Sequence, residues 1–417
     1  MSSLKPLLKP DVTLSLALSP SPAHDHEILK PEERGIRLIQ LLLKGAKHAS
    51  SGNFHRADAC LSEISELSSM SGDSMQRLAA QFASALATRL VKRWPGLYKA
   101  LNHHQKPRID VDQAKTLFAR AFPFLCFAYM VITRTLVQAM ANEHVIHIVD
   151  LSSGDPKLWV PFLHSLAHLP NGPPHLKITC LNSNRAILDK LGQSLVKEAE
   201  TLDMPFQFNP LSIGLRELSG DMLKVRSGEA LAFVSILNLH VLLAEDDQVD
   251  AHFGGAKFNG IKSCKPLSDL LTLIRSMSPK LLFLVEQEAN HNLDRLVDRF
   301  IEGLHYYSAV FDSIDATSGN LGGEGRMILE EMFGREIENI VACEGLERFE
   351  RHERYGRWAI RLGQGGFKPI RLWYNFNEDT KQMVDGFGKG YKIASEKTSL
   401  MICWHERPLY AVTAWTC

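Results

Sequence analysis

Two hydrophobic periods divide the chain. From Pro31 onward, apolar residues recur every three or four positions, the spacing that lays one face of an α-helix on a core. Pro31 opens the first helix with Glu32 and Glu33 in its first turn, where the helix dipole favours anions. Its expected inner face is Ile36, Ile39, Leu43 and Ala46, and Gly52-Asn53 ends it. Two more helices are predicted over about 54–68 and 73–93, the second starting at Gly72-Asp73-Ser74 and stopping before Trp94-Pro95.

From about residue 115 the pattern changes to short apolar runs alternating with helical stretches. Candidate strands are 144–150, 175–181, 204–208, 229–237 and 280–286, with helices near 157–169 and 184–201. Such alternation predicts a parallel sheet with crossover helices. Gly254-Gly255 to Pro266 reads as a loop. The last residues read as a hairpin: an apolar run ending at Trp404, a polar turn His405-Glu-Arg-Pro408, and an apolar run to Trp415. The fold class is therefore α/β. It is a Rossmann-like, methyltransferase-like, mostly parallel sheet with helices on both faces, a C-terminal antiparallel hairpin and an N-terminal α-helical cap. The expected organisation is a flexible tail over 1–30, a helical cap over 31–110 and an α/β core over 111–417. Part of 325–361 is a candidate to join the cap. The tail has four prolines (6, 10, 20 and 22) and no helical period.

Composition narrows the function classes. The chain has 417 residues, enough for a sizeable core, and 47 Lys plus Arg balance 47 Asp plus Glu. Proteins that grip DNA through its phosphates usually carry a basic excess, so neutrality argues against autonomous DNA binding. The seven cysteines (60, 126, 180, 264, 343, 403 and 417) are dispersed with no C-x-x-C pair. That argues for a reducing compartment and against a disulfide framework or zinc ribbon. No apolar run reaches the ~18 residues of a membrane span. Lys5 and Lys9 before Val12–Leu18 have the outline of a secretory signal, but Ser19-Pro-Ser-Pro22 follows instead of a small-residue cleavage site.

Candidate chemistry centres on the end of the first strand. A cofactor-binding turn needs small residues so that backbone N–H groups approach the ligand. Here Asp150 is followed by Leu151-Ser-Ser-Gly-Asp-Pro156, with a single Gly154, a repelling Asp155 and Pro156 lacking an N–H. An acidic residue to hold a ribose is absent at the end of the second strand, where Asn182 stands; the first acid is Asp189. Asp150 reads as a capping or turn residue and His147 as a satisfied core histidine, the alternatives being catalysis or ligation. No metalloprotease, nucleophile-elbow or P-loop spacing occurs, His103-His104 and Glu286-Gln-Glu288 lack a partner set, and no metal site is predicted. The block Glu344–Arg361 mixes five arginines with four glutamates. Its Glu347–Arg351 and Glu350–Arg354 spacings suit either a salt-bridged solvated helix or a partner-docking one.

Five segments carry a resemblance in order along roughly 30–417. They are Leu41-Leu-Leu-Lys-Gly-Ala-Lys-His48, then Ile146-His147-Ile148-Val149-Asp150, then Gly228–Leu243, then Arg348-Phe-Glu-Arg351-His352-Glu353-Arg354, then the hairpin Ile402–Cys417 with Trp404 and Trp415. Together they resemble the plant GRAS family of scarecrow-like transcriptional regulators. Glu32–Gly35 and Trp94–Leu101 are most similar to its scarecrow-like 3 branch.

The resemblance implies a nuclear, non-enzymatic co-regulator without a cofactor, in gibberellin signalling or development. It implies partners: indeterminate-domain zinc-finger transcription factors and other GRAS proteins, including gibberellin repressors. A homo- or heterodimer is left open. Leu14, Leu16 and Leu18 form an L-x-L-x-L run similar to plant repression motifs, which dock extended into a corepressor; the plain alternative is an ordinary tail. The expected anchors are Ile146, Ile148, Trp159, Trp404 and Trp415. The expected partner surfaces are the cap over 35–93 and an Arg348–Arg357 helix. Two departures stand out: Gly45 replaces a cysteine usual in the family, and Pro156-Lys-Leu-Trp159 keeps only the tryptophan of Gly-x-Gln-Trp. The alternative function is a methyltransferase-like enzyme dependent on S-adenosylmethionine with a degenerate cofactor loop.

Overall fold

Among the described residues, six helices precede the first strand. They are α1 (Pro31–Ser50), α2 (Phe54–Leu67), α3 (Ser74–Val91), α4 (Pro95–Leu101), α5 (Val111–Ala121) and α6 (Phe124–Met140). The computed structural model describes residues 30–417 except 102–109, 153, 246–256, 259–260, 318–320 and 373–377. Leu14, Leu16 and Leu18, the tail over 1–29 and His103-His104 lie outside the described residues.

α3 begins where the sequence places it, because Asp73 accepts a 2.9 Å hydrogen bond from the Gln76 N–H while Gln76 Oε1 accepts one of 3.2 Å from the Asp73 N–H. The face of α1 differs from expectation. Leu38, Leu41, Leu42, Gly45, Ala46 and Ala49 are buried, whereas Ile36 and Ile39 stay 58% and 37% exposed. Gly45 selects this face: a Cβ there would lie 3.2 Å from Leu86 of α3 and 3.5 Å from Cys60 of α2, so all three helices converge on it. The strand–helix alternation starts at residue 145, since α5 and α6 extend the helical region past 115.

The strands are β1 (Val145–Asp150), β2 (His175–Leu181), β3 (Phe206–Leu211), β4 (Ala230–Ile236), β5 (Lys257–Phe258), β6 (Ile261–Lys262), β7 (Leu281–Gln287), β8 (Lys368–Ile370), β9 (Tyr391–Glu396), β10 (Ser399–Trp404) and β11 (Arg407–Thr416). Among the described residues, β5 and β6 pair antiparallel within the stretch expected to be loop, and the main sheet runs β3-β2-β1-β4-β7-β11-β10-β9 with β8 on β11. The first five of these are parallel; β11, β10 and β9 are antiparallel to their neighbours. Helices α7 (Pro156–Ala167) and α8 (Arg185–Thr201) are the crossovers of the β1–β2–β3 half. The predicted parallel sheet and closing hairpin are both present. The hairpin turn is tighter than expected: Trp404 pairs with Arg407, leaving only His405-Glu406 in the turn. Pro408 joins the strand opposite Cys403, where the register shifts, the kind of irregular site that tolerates a residue without an N–H.

Side chains alternate between two apolar cores, one on each face of the sheet. Ile146, Ile148, Trp159 and Trp404 join the larger core, which runs without interruption from Leu38 of α1 to Val412 of β11. Val149, Leu231, Phe233, Trp358 and Trp415 build the smaller one. Helices Leu296–Thr317 and Gly322–Ala342 pack on α3 through the Phe82–Phe300 ring pair at 5.1 Å and the buried Arg77–Glu330 ion pair at 2.7 Å. The helical layer therefore takes chain from both sides of the residue-110 boundary. Removing one partner of a buried pair strands the other charge. Arg77→Met, which leaves the fully buried Glu330 only Arg326 at 3.5 Å, is expected to cost roughly 3–5 kcal/mol in denaturant melts, and Arg77→Met with Glu330→Leu to recover most of it.

Candidate functional site

In an open α/β sheet the ligand crevice lies where the strand order reverses, here beyond the carboxyl ends of β1 and β4. Asp150 ends β1 fully buried, and both its oxygens are used: one accepts the Ser152 N–H at 2.7 Å, the other the Trp159 indole N–H at 2.8 Å. Burial pushes its carboxyl pKa up, opposed by those two hydrogen bonds. Gly154 sits at φ +75°, and a Cβ there would lie 2.2 Å from Leu191 of α8. Ser152 Oγ accepts the Ile236 N–H at 2.7 Å, and Asn238 donates to the Leu151 carbonyl. Asp155 caps α7, accepting from the Lys157 N–H at 2.8 Å and the Tyr129 hydroxyl at 2.7 Å. Asn182, the residue placed to hold a ribose, instead accepts the Asn184 N–H at 2.8 Å in the turn that starts α8. At its described positions the loop spends its polar groups on the chain itself.

His147 lies in the middle of β1, ahead of Asp150, and is also buried. Its Nδ1 is 2.8 Å from Glu229 and its Nε2 2.8 Å from Thr179 Oγ1. Burial, then the nearby Lys177 charge, pulls its pKa down to about 4 against the pull of Glu229.

The block from Glu344 to Arg361 is not one helix. Gly345–Glu347 is a single 3-10 turn, 348–354 is irregular, and a helix runs only from Tyr355 to Gln364. Arg348, Arg351, His352 and Glu353 are all buried, which overturns both the solvated-helix and the docking-helix readings. Neither expected i,i+4 pair forms, because each arginine has backbone or distant partners. Arg351 donates to the Arg348 and Gly345 carbonyls at 2.8 and 2.9 Å, and Arg354 pairs with Glu302 at 2.6 Å. Glu353 instead takes the Arg361 fork at 2.6 and 2.8 Å and the Asn292 amide at 2.8 Å. These bonds, with Arg361 first, hold its pKa down despite burial.

The same segment closes a polar cluster at the carboxyl ends of β4 and β7. Glu286 accepts the N–H groups of Leu239 and His240 at 2.9 and 3.2 Å and His240 Nδ1 at 2.8 Å. Glu288 accepts the Tyr355 N–H at 2.8 Å. The Glu286-Gln-Glu288 run therefore has its partner set, supplied by segments on either side in sequence. His240 Nε2 and His352 Nε2 each lie 3.2 Å from the same Glu350 oxygen, and His291 Nδ1 is 3.0 Å from His352 Nδ1. Burial opposes charge on His240, but Glu286 and Glu350 raise its pKa to about 10; burial and the His240 charge push His352 down. His291 and Glu336, which accepts from Gln287 and Tyr307 at 3.1 and 2.9 Å, carry no local sequence signal.

The two expected C-terminal anchors lie apart from each other. Trp404 donates its indole N–H to Asp312 at 2.7 Å beside the Tyr391 ring, and Trp415 donates to Thr413 Oγ1 at 2.9 Å in the smaller core. Trp404 also lines a cleft of about 670 Å³ with Met75, Leu78, Ala309 and His405.

Strand order and crevice together define a Rossmann-like, methyltransferase-like α/β protein whose cofactor turn is occupied by its own side chains. The chain belongs to the GRAS domain family, whose model matches residues 38–416. It is similar to Scarecrow-like protein 3 of Arabidopsis thaliana, 38% identical over 97% of this chain and 93% of that one. It is similar to the GRAS family protein TF80 of Medicago truncatula, 33% identical over 95% and 99%, and to the DELLA protein RGL1 of Arabidopsis thaliana, 32% identical over 93% and 71%. The crystal structure of SCL7 from Oryza sativa superposes with a TM-score of 0.75 at 27% identity, covering 91% of this chain and 99% of that one. The protein is thus a plant GRAS regulator and not an enzyme.

Titration of the purified protein with S-adenosylmethionine is expected to show no saturation; micromolar binding abolished by Asp150→Ala would overturn the reading of the occupied turn. His147 gives a pH signature. Its folded pKa is below its unfolded one, so the unfolded chain binds the extra proton and stability falls as pH drops from about 6.5 to about 4. His147→Gln is expected to flatten that part of the stability–pH curve by on the order of 2 kcal/mol relative to wild type.

Proposed function

We propose that this protein is a nuclear transcriptional co-regulator that reaches DNA through partner proteins, in gibberellin signalling or development. The partners on this reading are indeterminate-domain zinc-finger factors and other GRAS proteins, including gibberellin repressors, with a corepressor engaged through Leu14, Leu16 and Leu18. The observation that supports it most is an apolar stripe at the end of the helical layer: Trp94, Leu97 and Leu101 are each at least 50% exposed. Their i, i+3, i+7 spacing places them on one side of a short helix, a surface suited to an amphipathic partner. Ile36 and Ile39 add exposed apolar surface on α1. A net charge of zero agrees with recruitment by a partner. The partner surface on this reading is the helical cap, without the Arg348–Arg357 segment, whose Arg348, Arg351, His352 and Glu353 are buried.

The test is a reporter assay in plant cells with the chain tethered to a heterologous DNA-binding domain. Wild type is expected to repress, and changing Leu14, Leu16 and Leu18 to alanine to relieve repression at least severalfold. Repression that survives that change but is lost with Trp94→Ala and Leu97→Ala moves the activity to the folded surface. A tethered protein that changes nothing in any form overturns the co-regulator reading.

A further inference from the structure

The polar cluster beyond β4 and β7 brings two imidazole nitrogens and a carboxylate oxygen to one point. His240 approaches from the turn after β4, while Glu350 and His352 approach from the irregular segment beyond the helix Gly322–Ala342. One Glu350 oxygen faces both Nε2 atoms at 3.2 Å. Charge-assisted N–H···O bonds are shorter, about 2.7–2.9 Å. The observed spacing is at the long end of an N–H···O bond and also matches the ligand–ligand edge of a tetrahedral site, about 3.3 Å for metal–ligand bonds of about 2.0–2.1 Å. The ligand atoms of the three residues all lie within 4.8 Å of one another.

We infer that His240, Glu350 and His352 bind a divalent metal ion of the zinc class. Each imidazole offers Nε2 to the metal while its Nδ1 is held from behind, that of His240 by Glu286 at 2.8 Å and that of His352 by His291 at 3.0 Å. Such outer partners fix the tautomer and the ring orientation of metal-bound histidines. With the ion in place of the Nε2 proton of His240, two carboxylates, Glu286 and Glu350, and two neutral imidazoles balance a dication. Glu350's other oxygen or a water completes the coordination. The ion ties the β4 turn, the end of β7 and the 348–353 segment into one unit. It is structural, since His240 and His352 are almost entirely shielded from solvent.

The test uses the full-length chain stripped of metal by a chelator and titrated with Co²⁺. The expected result is one cobalt ion per chain, with visible d–d bands of a nitrogen–oxygen site, no thiolate charge-transfer band, and displacement by Zn²⁺. His352→Gln should abolish the bands, and Glu286→Gln, which leaves the three ligands in place, should weaken binding about 10- to 100-fold. Cooperative melting of each protein reports folding separately. If His352→Gln does not fold, wild type and Glu286→Gln decide. A folded wild type that takes up no cobalt leaves a network held by protons and overturns the site. So does a charge-transfer band, which would place the metal on cysteine, or binding unchanged in either folded variant.

Discussion

The sheet depends on its last strand. β11 lies between β7 and β10, so residues 407–416 complete the hydrogen bonding of a strand at the centre of the molecule. Until they arrive, β7 presents an unpaired edge whose residues are all buried in the finished fold. Pairing of Tyr410 with Gln287 and Trp415 with Leu282 also sets which face each late side chain meets. The consequences spread outward: Tyr410 stacks on Phe124 of α6 at 4.0 Å, and the Leu409 carbonyl accepts both the Glu288 N–H and the Tyr306 hydroxyl. Pairing of this kind joins residues far apart in the chain, the class of contact that slows folding.

The turn at the end of β1 is filled by groups of the chain itself. Trp159 takes the carboxylate at the end of β1, Leu191 occupies the space beside Gly154, and Asn182 is spent on a turn. Each of these improves packing or hydrogen bonding of the chain with itself.

The charged block that looks most like a surface in the sequence is the interior joint of the molecule. Arg351, Glu353 and Arg361 are buried, and each is matched by a carbonyl, an amide or an opposite charge. A buried charge left alone is far costlier than an exposed one, so the matching has to be complete. This explains why the block is irregular: a straight helix would leave Asn339 without the Phe349 and Glu350 N–H groups it accepts at 2.9 Å.

The sequence by itself determined the first three helices, the parallel strands, the closing hairpin and the fold class. Alternating periods mark the five parallel strands to within a few residues, the Asp73–Gln76 capping box sets the start of α3, and the last sixteen residues announce the hairpin, because these signals are local. The family follows from motifs in order for the same reason. The inner face of α1 was not legible, since Gly45 selects it only through a close approach to Leu86 and Cys60. Nor was the interior place of Arg351, His352 and Glu353, nor their meeting with His240 and Glu286. Those residues stand far apart in the chain, and only the strand order β4-β7-β11 brings them to one point. Burial turns on that convergence: a charge pattern records which residues can pair, while the packing of distant segments decides whether water or protein supplies the partner.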